Sequence, residues 1–230
     1  MDPQTLPDAQ REIYSRIRKK YKVAFEPFRL GAGTLHILKP TDLEALLNGR
    51  DPLENVSEFP FWIRLWEAAM VLAHLLRSLP DAKGQSLLEL GAGLGAPGLA
   101  AAANGFSVTL TDYEEHILDF QRVSCAANQL TNVTFQLVDW LNPPEMPKFD
   151  VICGAEILFR EEFFDPLLNL MDQCLKPDGV IYLAHDIRRQ SLPRFLGRAE
   201  SKYVIATKKQ TLKSEDGERV VLLNRLSPRH

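Results

Sequence analysis

The sequence predicts an α/β fold: a doubly wound, mostly parallel sheet of seven strands that ends in an antiparallel hairpin, preceded by a helix and β-hairpin extension. Three observations predict it. After Gly84, β-prone runs and helical apolar stripes alternate strictly, a pattern that places helices on both faces of a parallel sheet. The last two β-prone segments flank a polar turn instead of a helix, as an antiparallel pair does. The composition, 230 residues with 45% hydrophobic and 25% charged, is that of a folded chain with a sizeable core rather than a disordered or fibrous one.

Residues 8–20 read as a charged helix ending in Arg16, Arg18, Lys19 and Lys20. Two β-prone segments follow, Lys22–Phe28 and Thr34–Leu38, with glycines at 31 and 33 for the turn. Thr41 and Glu44 form a capping box for a short helix through Leu47. The stretch 48–60 reads as loop, and the composition changes near Pro60. Beyond it, Trp62, Leu65, Trp66, Ala69, Leu72, Ala73 and Leu76 recur at helical spacing. Then come strand 86–90, helix 96–103, strand 107–111, helix 114–128, strand 133–138, strand 149–154 and a helix over 164–175. A Pro-Asp-Gly turn at 177–179 leads into strand 180–185, a helix over 192–199, and the hairpin 203–212 and 219–226. The chain divides into an extension, 1–58, expected to cover a ligand site and shape its opening, and a ligand-binding domain, 59–230.

With 27 basic and 30 acidic residues the net charge is −3, so no global electrostatic drive toward nucleic acid or an anionic membrane exists. Cys125, Cys153 and Cys174 are too few and too dispersed for a disulfide framework or a zinc site. They suit a reducing compartment, and residues 1–22 lack the apolar core of a signal peptide. The expected location is the cytoplasm, with no metal and no membrane anchor. The oligomeric state is left open.

Open α/β sheets bind ligands beyond the carboxyl ends of their strands. The first strand of the alternating region ends in Glu89-Leu90-Gly91-Ala92-Gly93-Leu94-Gly95 and opens a helix. Glycine admits positive φ and close backbone approach, and the helix end offers N–H groups to an anionic group such as a phosphate or carboxylate. Asp112, followed by Tyr113, ends the next strand, where an acid accepts bonds from ribose hydroxyls. Two glycine registers compete: a dinucleotide fingerprint from Gly93, and E-x-G-x-G-x-G from Glu89, which fits the strand end better. No Lys-Ser or Lys-Thr stands where a P-loop requires it.

The run Glu89–Gly95 resembles motif I of the class I, seven-strand S-adenosylmethionine-dependent methyltransferases, and the C-terminal hairpin suits that Rossmann-like fold. More narrowly, Pro60-Phe61-Trp62 with Trp66, the pair Asp139-Trp140, and Gly154-Ala155-Glu156-Ile157-Leu158-Phe159 resemble methyltransferase family 16. This family is rich in protein-lysine methyltransferases, and the Pro-Phe-Trp-x-x-x-Trp run is most similar to the type that acts on the electron transfer flavoprotein β subunit. The resemblance implies that Glu89, Gly91, Ala92, Gly93 and Gly95 bind the methionine part of S-adenosylmethionine and Asp112 and Tyr113 its ribose. It also implies that Asp139 and Trp140 flank the adenine, that Trp66 and Ala155 wall the pocket, and that S-adenosylhomocysteine is the product. Glu156 and Phe159 occupy the family's acidic-x-x-aromatic catalytic motif, in which many eukaryotic members carry Asp and Tyr. The longer acid and the missing hydroxyl imply a different geometry at the target amine.

Methyl transfer needs a neutral amine, and a free lysine, with a pKa near 10.4, costs roughly 4 to 5 kcal/mol to hold neutral at pH 7. A carboxylate at Glu156 would orient the amine, and the face of Phe159 would favour its cationic product. The expected partner is therefore a protein lysine. The competing readings are an acceptor on a small molecule or nucleic acid, a non-catalytic binding module, and, most remotely, a nicotinamide oxidoreductase. Three further features have plainer readings. Asn142-Pro143-Pro144 is a turn, His185 and Asp186 a satisfied structural pair, and the basic runs at 16–22, 188–189 and 208–209 solvated surface.

Overall fold

A computed structural model describes residues 2–42, 61–80, 82–214 and 217–229. Residues 43–47 of the expected capping-box helix fall outside the described residues. Strand β1 (Val23–Leu30) pairs with β2 (Gly33–Pro40) across a two-residue turn in which Gly31 has φ +59°. The main sheet contains β3 (Ser86–Glu89), β4 (Ser107–Asp112), β5 (Val133–Leu137), β6 (Phe149–Ala155), β7 (Leu175–Asp186), β8 (Tyr203–Ser214) and β9 (Gly217–Pro228) in the order β5-β4-β3-β6-β7-β9-β8. The first five of these strands are mutually parallel; β9 runs antiparallel between β7 and β8.

The helices are α1 (Asp8–Lys20), α2 (Glu67–Ser78), α3 (Ala96–Asn104), α4 (Glu115–Ala127), α5 (Phe164–Cys174) and α6 (Ser191–Ala199). Alternation along the strands divides the core. Leu87, Val151, Cys153 and Ala184 face α2 and α3, whereas Leu88, Ile152, Ile181 and Leu183 face α5 and α6. Helix α3 is alanine-rich and buried from Ala96 to Ala102, which lets it lie close to α2 and the sheet. Among the described residues no helix is long and apolar enough to cross a membrane.

Two expectations are corrected. The apolar stripe from Trp62 to Leu76 is not one helix: Phe61–Ile63 form a 3-10 turn and α2 begins only at Glu67, with Trp66 at its cap. Trp62 and Trp66 thereby lie on the segment that precedes α2. The Pro177–Gly179 turn is absorbed into β7 as an irregularity, because Leu175 already pairs with Phe149 before Val180 pairs with Val151.

The described part of the extension is a buttress. Helix α1 and the β1–β2 hairpin pack on the outer side of α4, burying Ile17, Phe28, Leu35, Ile37 and Leu38. Ser124 of α4 and Asn128 at its C-cap stitch the hairpin down. Ser124 Oγ accepts the buried Leu38 N–H at 2.9 Å and donates to Phe120 O at 2.9 Å. The Asn128 amide accepts from His36 N–H and donates to His36 O, both at 2.8 Å. A buried N–H stripped of its acceptor costs about 1–3 kcal/mol. Ser124→Ala and Asn128→Ala should each lower unfolding free energy by about that much, and the double variant by less than the sum because both hold one hairpin. Denaturant titrations read this directly, and two wild-type midpoints would mean that the hairpin is not docked.

Candidate active site

The strand order reverses between β3 and β6, where parallel α/β sheets open a crevice above the strand ends. A cavity of about 770 Å³ occupies that position. Every residue assigned a binding or catalytic role from the sequence lines it: Trp66, Glu89, Gly91, Ala92, Gly93, Gly95, Asp112, Tyr113, Asp139, Trp140, Ala155, Glu156 and Phe159.

Its floor is the turn from β3 to α3. Gly91, Gly93 and Gly95 have φ of +59°, +54° and +76°, a region that L side chains avoid. Space is equally restrictive. A Cβ on Gly91 would lie 2.9 Å from the Trp140 ring, and one on Gly98 would lie 2.2 Å from Leu110 and 2.5 Å from the Glu89 carboxyl. Three side chains then pin the turn. Asp112 accepts Gly93 N–H at 2.8 Å, Gln121 donates to Gly93 O at 2.8 Å, and Glu89 accepts Gly98 N–H at 2.7 Å.

Burial pushes the Glu89 carboxyl up to about 8 and Asp112 up to about 6, against the N–H bonds that favour their ionised forms. Burial thus favours the protonated form of Glu89 more strongly than that of Asp112. The end of α3 is a poorer anion site than the sequence suggests. Pro97 has no N–H, that of Gly98 is taken by Glu89, and that of Leu99 returns to Gly95 O at 2.9 Å. A diphosphate would meet the Asp112 carboxylate and few free donors, which disfavours the nicotinamide dinucleotide reading. The donor set and the close backbone fit a cationic nucleoside without phosphate, as S-adenosylmethionine is.

The rest of the rim is aromatic. Trp66 donates its Nε1–H to Phe61 O at 2.7 Å, and Phe61 stacks on Phe159 at 6.4 Å between centroids. Phe159 meets Phe163 edge-on at 5.4 Å, and Phe163 meets Trp140 at 5.4 Å. Asp139 accepts Leu141 N–H at 2.9 Å, which sets the turn that presents Trp140. Tyr113 touches the cavity only at its edge and is 69% exposed.

Glu156 follows β6 with φ +57°, one of two non-glycine residues at positive φ among those described. Its carboxylate is not free. It accepts Asp186 N–H and binds Arg189 through both Nε, at 2.9 Å, and Nη2. His185 and Asp186 are not a pair either. Successive strand residues point to opposite faces. The His185 ring is fully buried with neither nitrogen bonded, and burial lowers it to about 3. Asp186 instead binds Arg188.

Sequence reasoning missed Gln121 and Arg189 and assigned no role to Trp62 and Phe163, which also line the cavity. Gln121 had a signal, as a long amide among the buried residues Ile117, Leu118 and Cys125 of α4. Arg189 had none, since a basic pair after a strand reads as surface. Residues 2–42 line no part of the cavity and reach it through Tyr21, whose ring meets Trp62 at 5.8 Å. No group of three His, Cys, Asp or Glu side chains among the described residues is placed to hold a metal.

This sheet order and this strand-end site define a class I methyltransferase fold. It is shared with ribosomal protein L11 methylase of Lactobacillus delbrueckii, with a TM-score of 0.55 at 22% identity over 71% of this chain and 79% of that one. It is shared as well with SMU.776, solved in complex with S-adenosylhomocysteine, with a TM-score of 0.55 at 14% identity over 70% of this chain and 50% of that one. The sequence profile described as lysine methyltransferase matches residues 58–202, and the chain belongs to that family. Its relatives include mouse histone-arginine methyltransferase METTL23, 35% identical over 56% of this chain and 53% of that protein. Histidine protein methyltransferase 1 homolog of Dictyostelium discoideum is 31% identical over 62% and 48%. Zebrafish protein N-lysine methyltransferase METTL21A is 32% identical over 61% and 68%. The chain thus spans about half the length of the first two relatives and two thirds of the third.

The Glu89 pKa makes a signed prediction. A carboxyl raised in the folded state leaves stability intact below the unfolded value near 4.5 and erodes it as pH rises toward 8. Glu89→Gln removes that titration. The melting temperature of the variant relative to wild type should therefore climb between pH 4.5 and 8 and level off above. A difference independent of pH would mean that Glu89 is ionised in the folded protein.

Proposed function

We propose that this protein transfers the methyl group of S-adenosylmethionine to the ε-amine of a lysine in a protein substrate and releases S-adenosylhomocysteine. One observation carries the reading: a single cavity joins the pinned glycine turn and Asp112 to an opposite wall of Phe61, Trp66, Phe159 and Phe163 beside Glu156. Family membership supports the methyl chemistry. The relatives named for arginine, histidine and lysine all act on protein side chains, which supports a protein acceptor. A cytoplasmic setting accords with three cysteines that are all free and buried.

Gly91 and Gly93 would hold the methionine part of the cofactor, Asp112 its ribose hydroxyls, and Asp139 and Trp140 its adenine. The bound cofactor supplies an electrophilic methyl group on a sulfonium. The protein supplies the rest. The aromatic wall strips water from an incoming lysine stem, and desolvation favours the neutral amine that can attack. The same ring faces attract the cationic product by about 0.5–2 kcal/mol. Alignment contributes more, because a well-oriented pair of reactants recovers up to roughly 7–11 kcal/mol of the barrier.

Calorimetric titration with S-adenosylhomocysteine tests the cofactor site. Asp112→Ala should weaken binding roughly 10- to 100-fold, the worth of a bond to a charged group, while the wild type binds. Labelled methyl transfer into fractionated lysate tests the acceptor. Label should enter protein, survive acid hydrolysis as methyl-lysine, and fall at least tenfold with Phe159→Ala, the loss that about 1.4 kcal/mol of wall contact produces. Label in metabolites or nucleic acid would overturn the lysine reading, and binding with no label anywhere would make the chain a cofactor-binding module.

A further inference from the structure

The acceptor side of the cavity should be electronegative if Glu156 is to capture a lysine cation, and it is not. The Glu156 side chain is 12% exposed and bonded to Arg189, whose side chain is 29% exposed. The neighbouring charges are balanced as well. Arg188 binds Asp186 at 2.6 Å, Arg64 binds Glu67 at 3.0 Å, and Arg160 binds Glu162 at 3.1 Å. Glu161 pairs with Arg194, and His185 of β7, which feels the charge of Arg189, is kept neutral by burial. Arg219 on β9 acts on Asp186.

The pair also ties two loops together. Glu156 accepts Asp186 N–H, Arg189 closes onto Glu156, and Ser191 Oγ donates to Leu158 O. The segment after β7 therefore holds the segment after β6, and Arg189 fixes a carboxylate whose own backbone sits at φ +57°. A carboxylate has about four acceptor positions. Three donors occupy Glu156, so its remaining capacity points in a direction that Arg189 sets.

We propose that Arg189 is the positioning residue of the acceptor site: it neutralises Glu156 and aims its remaining lone pair, so that the acceptor amine is held by a hydrogen bond in charge-balanced surroundings instead of being trapped as an ammonium. The inference rests on the amine-methylation reading above. In the step it serves, the lone pair of the neutral acceptor nitrogen forms the new N–CH3 bond. The S–CH3 bond breaks with its electron pair left on sulfur, and the surplus proton leaves the methylated amine for solvent. A bare carboxylate would raise the amine pKa and deplete the attacking form.

The consequence is a pair of opposite pH shifts. Arg189→Gln leaves Glu156 uncompensated, so the acidic limb of kcat, which reports the amine held in the complex, should move up by roughly one pH unit, the scale of one charge several ångströms away at an effective dielectric near 20. Glu156→Gln leaves Arg189 uncompensated, and the limb should move down by a similar amount. The double variant should return it to the wild-type position, and Arg189→Lys should restore most of kcat. Affinity for S-adenosylhomocysteine, measured by calorimetry, should stay within about twofold throughout, because neither side chain belongs to the glycine turn or the Asp112 side of the cavity. A purely structural role would lower activity and affinity together without moving the limb. Limbs that stay in place in an active enzyme overturn the role of Arg189 alone. A wild type that binds S-adenosylhomocysteine and methylates no amine at any pH overturns the methylation reading, and this inference with it. Should Arg189→Gln fail to fold, the near-isosteric Glu156→Gln still decides the sign.

Discussion

The strand-to-helix turn at Gly91–Gly95 is the constraint on which the molecule is organised. Its three positive-φ glycines leave backbone exposed at the floor of the cavity, and backbone without side chains keeps its shape only if its polar groups are held. The holders come from three elements: Glu89 on β3, Asp112 at the end of β4 and Gln121 on α4. One loop therefore fixes where two strands end and where two helices lie. In return, two acids are carried in a place where burial opposes their ionisation. Such groups are tolerated because each accepts backbone N–H bonds that no apolar residue could make.

The same turn explains why a helix-and-hairpin layer far from the cavity bears on it. That layer grips α4 through Ser124 and Asn128, and α4 carries Gln121 to the glycine turn. A second route is aromatic. Tyr21, Trp62, His116 and Phe120 form a packed group, and the Trp62 backbone lies 3.5 Å from where a Gly93 Cβ would stand. The extension thus stiffens the cofactor half of the site from behind, and the described part of it reaches the opening nowhere.

The acceptor half follows a different physical rule. Its acids are paired with arginines, and its apolar surface is made of rings. Ring faces accept a methylated cation without requiring that the unmethylated amine arrive charged. A neutral, desolvated mouth suits a reaction whose nucleophile is the unprotonated form.

The sequence by itself determined the order of strands and helices, the glycine turn and the residues that meet in the cavity. Each of these is set by local chemistry: period-2 and helical apolar patterns, glycines where φ must be positive, and acids at strand ends. Family resemblance added Trp66, Trp140, Glu156 and Phe159, which periodicity alone would have assigned to core or loop. What only the tertiary structure decided was how those residues are held. Arg189 lies 33 positions from Glu156 and looks like surface until β7 places it beside β6. The turn of the chain out of the Trp62–Leu76 stripe was also invisible, because tryptophans on a helix face and tryptophans in a cavity wall have the same spacing. Local pattern encodes which side of an element is apolar; which charge meets which carboxylate depends on strands brought side by side by the whole fold.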